Sequence, residues 1–392
     1  MSFALVLHAH IPYCRKSGRW PAGEEWLHEA IIESYLPLLK VLEGLEARDI
    51  SPNLNIEFTP ILLEQLADGY MQEQFIVYLQ ELIDRATSDI RRFDGRPELQ
   101  SVAKQYQEDF SLYMDYYTGH LKRDVIGAFK HHQDSGNIEI FTSAATHGFL
   151  PLFEHESAIW SQVKIGIDTY KKYFGCNPRG FWLPECAFRP METRNGRQVA
   201  GIDYWLKKAG IEYFIVNYTG MEDATLVHAN TAGVDYISTY EAYQLAGTGV
   251  KVFGRNYETS ERVWSAAVGY PGNQVYREFH LKDPVSGLRY FSISKPGLAK
   301  DVYDFSRARE KAKLDARDFA RIVYQNLSDY RSINKRSGII VSPYDCELFG
   351  HWWHEGPVWM EDVFINLAEM EEISPITLGT YLDDHTGTFS EV

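Results

Sequence analysis

The chain has 392 residues, 45% of them hydrophobic and 24% charged, so it holds enough apolar side chains for a large packed core and is too ordered in composition for a disordered protein. A formal net charge of −15 argues against nucleic acid or an anionic membrane surface as a partner and fits a neutral or cationic ligand. The four cysteines, Cys14, Cys176, Cys186 and Cys346, are widely spaced with no CxxC, which points to reduced thiols in a cytoplasm rather than to a disulfide framework. "MSFALVLHAH" lacks the basic region of a signal peptide, and no run approaches the length of a membrane span.

In chain order, seven short apolar runs stand out: "FALVLHAH" (3–10), "NLNIEF" (53–58), "NIEIFTS" (137–143), "GFWLPE" (180–185), "IEYFIVN" (211–217), "VKVFGR" (250–255) and "GIIVSPYD" (338–345). Continuous apolar runs separated by helical segments predict parallel strands buried on both faces. The pattern predicts an α/β fold over 1–385 with a short tail at 386–392; strand–helix repetition of this kind can close into a barrel, and an open doubly wound sheet would give the same pattern. No GxGxxG follows the first run, so a doubly wound dinucleotide-binding sheet has no support. Residues 64–133 break the rhythm with helical periodicity and are read as an insertion after the second strand. The Gly- and aromatic-rich stretch 219–300 is read as structured loops on the binding face, with 219–249 as the place for a lid.

Polar residues recur at or just past the C-terminal ends of these runs: His8 and His10, then Thr142 to His147, Glu185, Asn217, Arg255 and Asp345. In parallel barrels that end carries the active site, so the repetition argues for an enzyme. His8 and His10, two apart, point to one face of their strand. They suit either a polar ligand or, with His147 and Asp345, a catalytic metal. Glu185 and Asp345, two acids from two strand ends, match the paired carboxylates of glycoside hydrolysis. Glu185 lies among bulky apolar residues, where burial would raise a carboxyl's pKa. Seven tryptophans (Trp20, Trp26, Trp182, Trp264, Trp352, Trp353 and Trp359) fall in or near the loops of that face, as platforms for the C–H faces of sugars.

"HAHIPY" (8–13), "GNIEIFTSAATHGFLPLF" (136–153), "GFWLPECAF" (180–188) and "SPYDCELFGHWWHEGP" (342–357) resemble, in order and spacing, the signature regions of glycoside hydrolase family 57, and within it the branching enzymes of 1,4-α-glucans. "WPAGEEWLHEAIIESYLPLL", "TPILLEQLAD" and "VWSAAVGYPGNQVYREFHLKDPVSGLRY" resemble the same subgroup. The resemblance implies a (β/α)7 barrel, in agreement with the seven runs, and a retaining double displacement on α-1,4-glucan with no metal and no cofactor, and carboxylates about 5–5.5 Å apart. It implies Glu185 as nucleophile and Asp345 as general acid/base. It further implies His8, His10 and His147 at the donor sugar, Trp264 as a stacking wall, and Trp352 and Glu355 as substrate-binding or supporting residues, with Arg255 counted among the binding residues. The family's C-terminal helical domain is expected to be missing, since the chain stops at "TLGTYLDDHTGTFSEV", which weighs against branching more than against the chemistry. The competing readings are a hydrolase or 4-α-glucanotransferase, a metal-dependent deacetylase built on His8, His10 and Asp345, and a glucan-binding protein without turnover.

Overall fold

The computed structural model describes residues 1–21, 23–194, 196–227, 236–265, 267–294, 297 and 299–392. Seven parallel strands form its centre: β1 Ser2–Ala9, β2 Leu54–Phe58, β3 Ile138–Ser143, β4 Gly180–Trp182, β5 Tyr213–Val216, β6 Lys251–Gly254 and β7 Ile339–Asp345. Each coincides with one of the seven apolar runs. They hydrogen-bond in the order β7-β1-β2-β3-β4-β5-β6, and the Asn256 amide, just past β6, donates to the Val341 carbonyl of β7 at 2.9 Å and closes the ring. The architecture is a (β/α)7 barrel.

Alternation along each strand sorts the side chains. Ala4, Val6, Phe141, Tyr213, Ile215, Phe253 and Val341 fill the barrel interior. Phe3, Leu5, Leu7, Ile56 and Ile340 face the surrounding helices. The register brings Asp345 of β7 opposite His8 of β1, and His8 opposite Glu57 of β2, so three polar side chains share one interior row.

After β2 the chain leaves the barrel as an antiparallel helix pair, Gly69–Arg92 and Pro97–Asp115. The Asp68 carboxylate caps the first by accepting from the Met71 amide at 3.0 Å, and Met71, Phe75, Tyr78, Leu79, Leu82 and Ala86 make its buried stripe. Gly95 (φ +79°) makes the turn, and Pro97 opens the second helix at a position that needs no amide donor. The helix Val125–Asp134 packs on β3 and against the flanking barrel helices Leu36–Glu46 and Glu156–Phe174. It is therefore a barrel helix, and the excursion is narrower than 64–133. At the other end of the chain, Ser390–Glu391 pairs in parallel with Ala242–Gln244, which itself lies antiparallel on β6. The short tail 386–392 thus joins the main sheet at Ser390–Glu391. Residues 228–235 of the expected lid lie outside the described residues. Among the described residues no helix is long and apolar enough to cross a membrane.

One helix has a local irregularity that matters for the site. Between the α-helical turns Glu24–Ala30 and Leu36–Glu46, residues Ile31–Tyr35 widen into a π-turn. Such widenings re-aim side chains. Here Glu33, Ser34 and Tyr35 all reach the segment that follows β7.

Candidate active site

The strand ends open into a cleft of about 580 Å³, lined by His8, His10, His147, Glu185, Arg255, Trp264, Asp345 and Trp352 among others. These are eight of the nine residues to which the family resemblance assigns a role. Trp26, Trp182, Asn217 and Glu347 line it as well. A larger concavity of about 900 Å³ opens between Tyr270, Ser294 and Lys311, but none of the strand-end acids or imidazoles reaches it.

Glu185 follows β4 on a tight turn and takes a left-handed backbone conformation, φ 60° and ψ 22°. Cys186 (φ 53°) and His147 (φ 54°) do the same. Each such residue costs about 1–2 kcal/mol when it has a Cβ, and three of them at one cleft mark a site whose geometry is held by its surroundings. The turn lifts the Glu185 side chain clear of the wall, leaving it 73% exposed, with Oε1 3.7 Å from His147 Nε2. The expectation of a buried Glu185 fails: the apolar residues beside it point into the core while the acid points out.

Asp345 ends β7 and is more enclosed. Burial pushes its pKa up to about 6; the Arg255 guanidinium opposes this and the charge of Glu185 across the cleft adds to it. The acid is thus held where it exchanges its proton near neutrality. Arg255 is aligned by its own amide, which donates to the Val216 carbonyl at 2.9 Å.

The three histidines form a stack. His8 lies flat on Trp182 (4.8 Å between centroids, 8° between planes) and on His147 (4.6 Å, 25°), and His10 lies 4.3 Å from His147. Burial lowers His10 to about 3 and His147 to about 4, and carries His8 well below its ordinary value, so all three are neutral at physiological pH. Neutral imidazoles beside an acid suit an uncharged polyhydroxyl ligand. Stacked rings send their in-plane lone pairs along parallel planes instead of to one point, and His8 Nδ1 and His10 Nδ1 are taken by Glu57 and Thr59. Among the described residues no group of three or more His, Cys, Asp or Glu is placed to hold a metal ion. The metal reading of His8, His10, His147 and Asp345 has no geometric support.

Beneath the stack lie two acids that sequence reasoning left without a role. Glu57 is fully buried and pairs with His8 Nδ1. Glu347 accepts from the Tyr35 hydroxyl and from the His10 amide at 3.1 Å, and burial pushes its pKa up to about 8.

Glu355 corrects an expectation. It does not line the cleft: it is 3% exposed, and its Oε1 accepts from the Tyr303 hydroxyl at 2.6 Å and from the Arg277 amide at 3.1 Å. Standing at the start of the helix Gly356–Ala368, it turns back into the protein and ties the loop 277–303 to it. Trp353 and Trp359 are core residues packed on Phe349, whereas Trp352 is 40% exposed at the cleft. Trp20 also lies apart from the cleft, under Lys282. His351 bonds Glu33 at 2.5 Å. Burial alone would raise that carboxyl, but Arg289, His351 and Arg277 outweigh it and hold Glu33 well below its ordinary range. The segment after β7 is thus clamped from behind by an ion cluster while Asp345, Glu347 and Trp352 face forward.

The chain is 40% identical, over 99% of its length, to a 1,4-alpha-glucan branching enzyme of Thermococcus kodakarensis, and spans 58% of that relative's length. The crystal structure of a GH57-type branching enzyme from Pyrococcus horikoshii superposes with a TM-score of 0.91 at 41% identity, covering all of this chain and 71% of that one. An alpha-amylase of Thermotoga maritima gives 0.86 at 29% identity, covering all of this chain and 76% of that one. The family model for glycosyl hydrolase family 57 matches residues 4–389, and the chain belongs to that family.

Proposed function

We propose that the chain is a retaining, α-1,4-glucan-active enzyme whose principal reaction is branching. The observation that carries this reading is the contrast between two acids at one cleft: Glu185 stands free at a strained turn, while Asp345 is enclosed with its pKa raised to about 6. Glycosyl transfer with retention needs one carboxylate free to attack and one acid that holds and returns a proton. Glu185 attacks the anomeric carbon as Asp345 protonates the departing glycosidic oxygen, and the C–O bond breaks. The glucan is then an ester of Glu185. Asp345, now ionised, takes the proton from an incoming sugar 6-hydroxyl, which displaces Glu185 and makes an α-1,6 branch. His8, His10 and His147 meet the hydroxyls of the donor sugar. Trp26, Trp264 and Trp352, each partly exposed on the cleft, offer faces for pyranose rings. The relatives named as branching enzymes support the choice of acceptor.

A second reading is hydrolysis, with water in place of the 6-hydroxyl. It is favoured by the likeness to the Thermotoga alpha-amylase. In either case the reading sets the chain in cytoplasmic storage-glucan metabolism, and the four free thiols fit a reducing compartment.

The test is incubation of the wild type and Glu185→Gln with amylose, followed by anomeric proton NMR and a reducing-end assay. New α-1,6 signal with few new reducing ends, absent in the variant, supports branching. Reducing ends alone make it a hydrolase, and no change with the wild type overturns both readings for this chain.

A further inference from the structure

Among the described residues Glu57 has no cation to pair with. Its Oε2 meets His8 Nδ1, and its Oε1 is buried without a hydrogen-bond partner among the described residues. The next acid, Glu347, would repel its charge. An ionised Glu57 would be a carboxylate out of water, beside a second acid, with one oxygen bare, an arrangement that strongly favours the protonated form. His8 is no better placed to take the proton as an imidazolium. It is sandwiched between the Trp182 and His147 rings, with Arg255 near enough to repel a positive charge. Burial and Glu347 together raise Glu57 well above its ordinary value, and burial lowers His8, so both directions agree with the geometry.

A protonated carboxyl donates, and a neutral imidazole that accepts at Nδ1 must carry its one proton at Nε2. Among the described residues His8 Nε2 makes no hydrogen bond, and His8 lines the cleft in the same row as Asp345. We propose that Glu57 is a positioning residue, kept as the neutral acid, whose hydroxyl donates to His8 Nδ1 and fixes His8 in the Nε2–H tautomer, so that a hydrogen-bond donor faces the sugar beside Asp345. This rests on the cleft being a sugar site. The ring state of His8 is nevertheless measurable without any substrate.

Full-length protein with ring-15N histidine is examined by long-range proton–nitrogen correlation, His8 being assigned by its loss in His8→Gln. The expected spectrum shows a neutral ring with Nε2 protonated and Nδ1 bare at neutral pH. A ring protonated at Nδ1, or at both nitrogens, overturns the proposal whatever the enzyme does to glucan. On the kinetic side Glu57→Gln, whose amide still donates to Nδ1, keeps the same tautomer and nearly wild-type kcat/KM. Glu57→Leu, of similar volume but without a donor, gives a mixed tautomer and loses about tenfold in kcat/KM. An unchanged His8 spectrum and unchanged kinetics in Glu57→Leu would reduce Glu57 to filling space.

Discussion

Asp345 and His8 are opposed in the parallel ladder of β7 and β1. Their side chains therefore leave the sheet on the same side, and the acid shares its row with an imidazole that burial keeps neutral. Arg255 is the cation that opposes burial at Asp345, and without that opposition the acid would sit higher than about 6. With Asp345 required in its protonated form for the first step, kcat/KM falls as pH rises through about 6 in the free enzyme. Arg255→Leu is expected to move that descending limb to higher pH while lowering the maximum. A pH–rate series on a soluble glucan checks both. A limb that stays in place in the variant would remove Arg255 from the electrostatics of Asp345.

The same shift has a consequence for stability. The folded pKa of Asp345, about 6, stands above the ordinary 3.8, so the folded chain holds this proton more tightly than the unfolded one. The stabilisation is complete below about 3.8 and is lost as pH rises through about 6. Asp345→Asn keeps the shape and removes the titration. The variant should match the wild type in urea at pH near 4 and exceed it near pH 8, by about 2 kcal/mol. Equal midpoints at both pH values would show that Asp345 is not held as described.

How much of this was legible in the sequence depends on which neighbour does the work. The seven strands could be read because strands buried on both faces are continuous apolar runs, and the strand-end polar residues follow from the polarity of a parallel barrel. Side-chain direction within a loop leaves no such trace. Trp352 and Trp353 are adjacent, yet one faces the cleft and the other is 1% exposed in the core. Glu355, three positions from Trp352, turns inward to Tyr303 and Arg277, partners far away in the chain. Glu57 had a signal that went unused. Asn55 and Glu57 are two apart in "NLNIEF", the spacing that made His8 and His10 notable, and both lie on the interior face of β2.

Strain at Glu185 predicts a trade between activity and stability. With φ at 60° and a side chain 73% exposed, Glu185 gives up few contacts when truncated, and glycine tolerates that backbone without penalty. Glu185→Gly should abolish transfer and raise stability by about 1 kcal/mol, the relief of left-handed strain less the added freedom of the unfolded chain. Urea unfolding of the purified variant decides it. A destabilised variant would mean that the carboxylate, and not the surrounding loop, holds this turn in place.

Gly350 is the point at which the segment after β7 meets the π-turn. Its φ is +110°, and a Cβ there would lie 1.6 Å from the Glu33 carbonyl oxygen. The contact is backbone on backbone, so no side chain can move aside. Gly350→Ala must push the segment carrying Glu347, His351 and Trp352 away from Glu33, and with it the ion cluster that clamps it. The expected loss is about 3 kcal/mol or more, together with a rise in KM as Trp352 leaves the cleft wall. Gly95 is the control: it too has positive φ (+79°), but a Cβ there meets nothing within 4 Å among the described residues. Gly95→Ala should cost only the dihedral penalty, about 1 kcal/mol, and leave KM unchanged. Similar losses in the two variants would show that the close approach of Gly350 to Glu33 is dispensable.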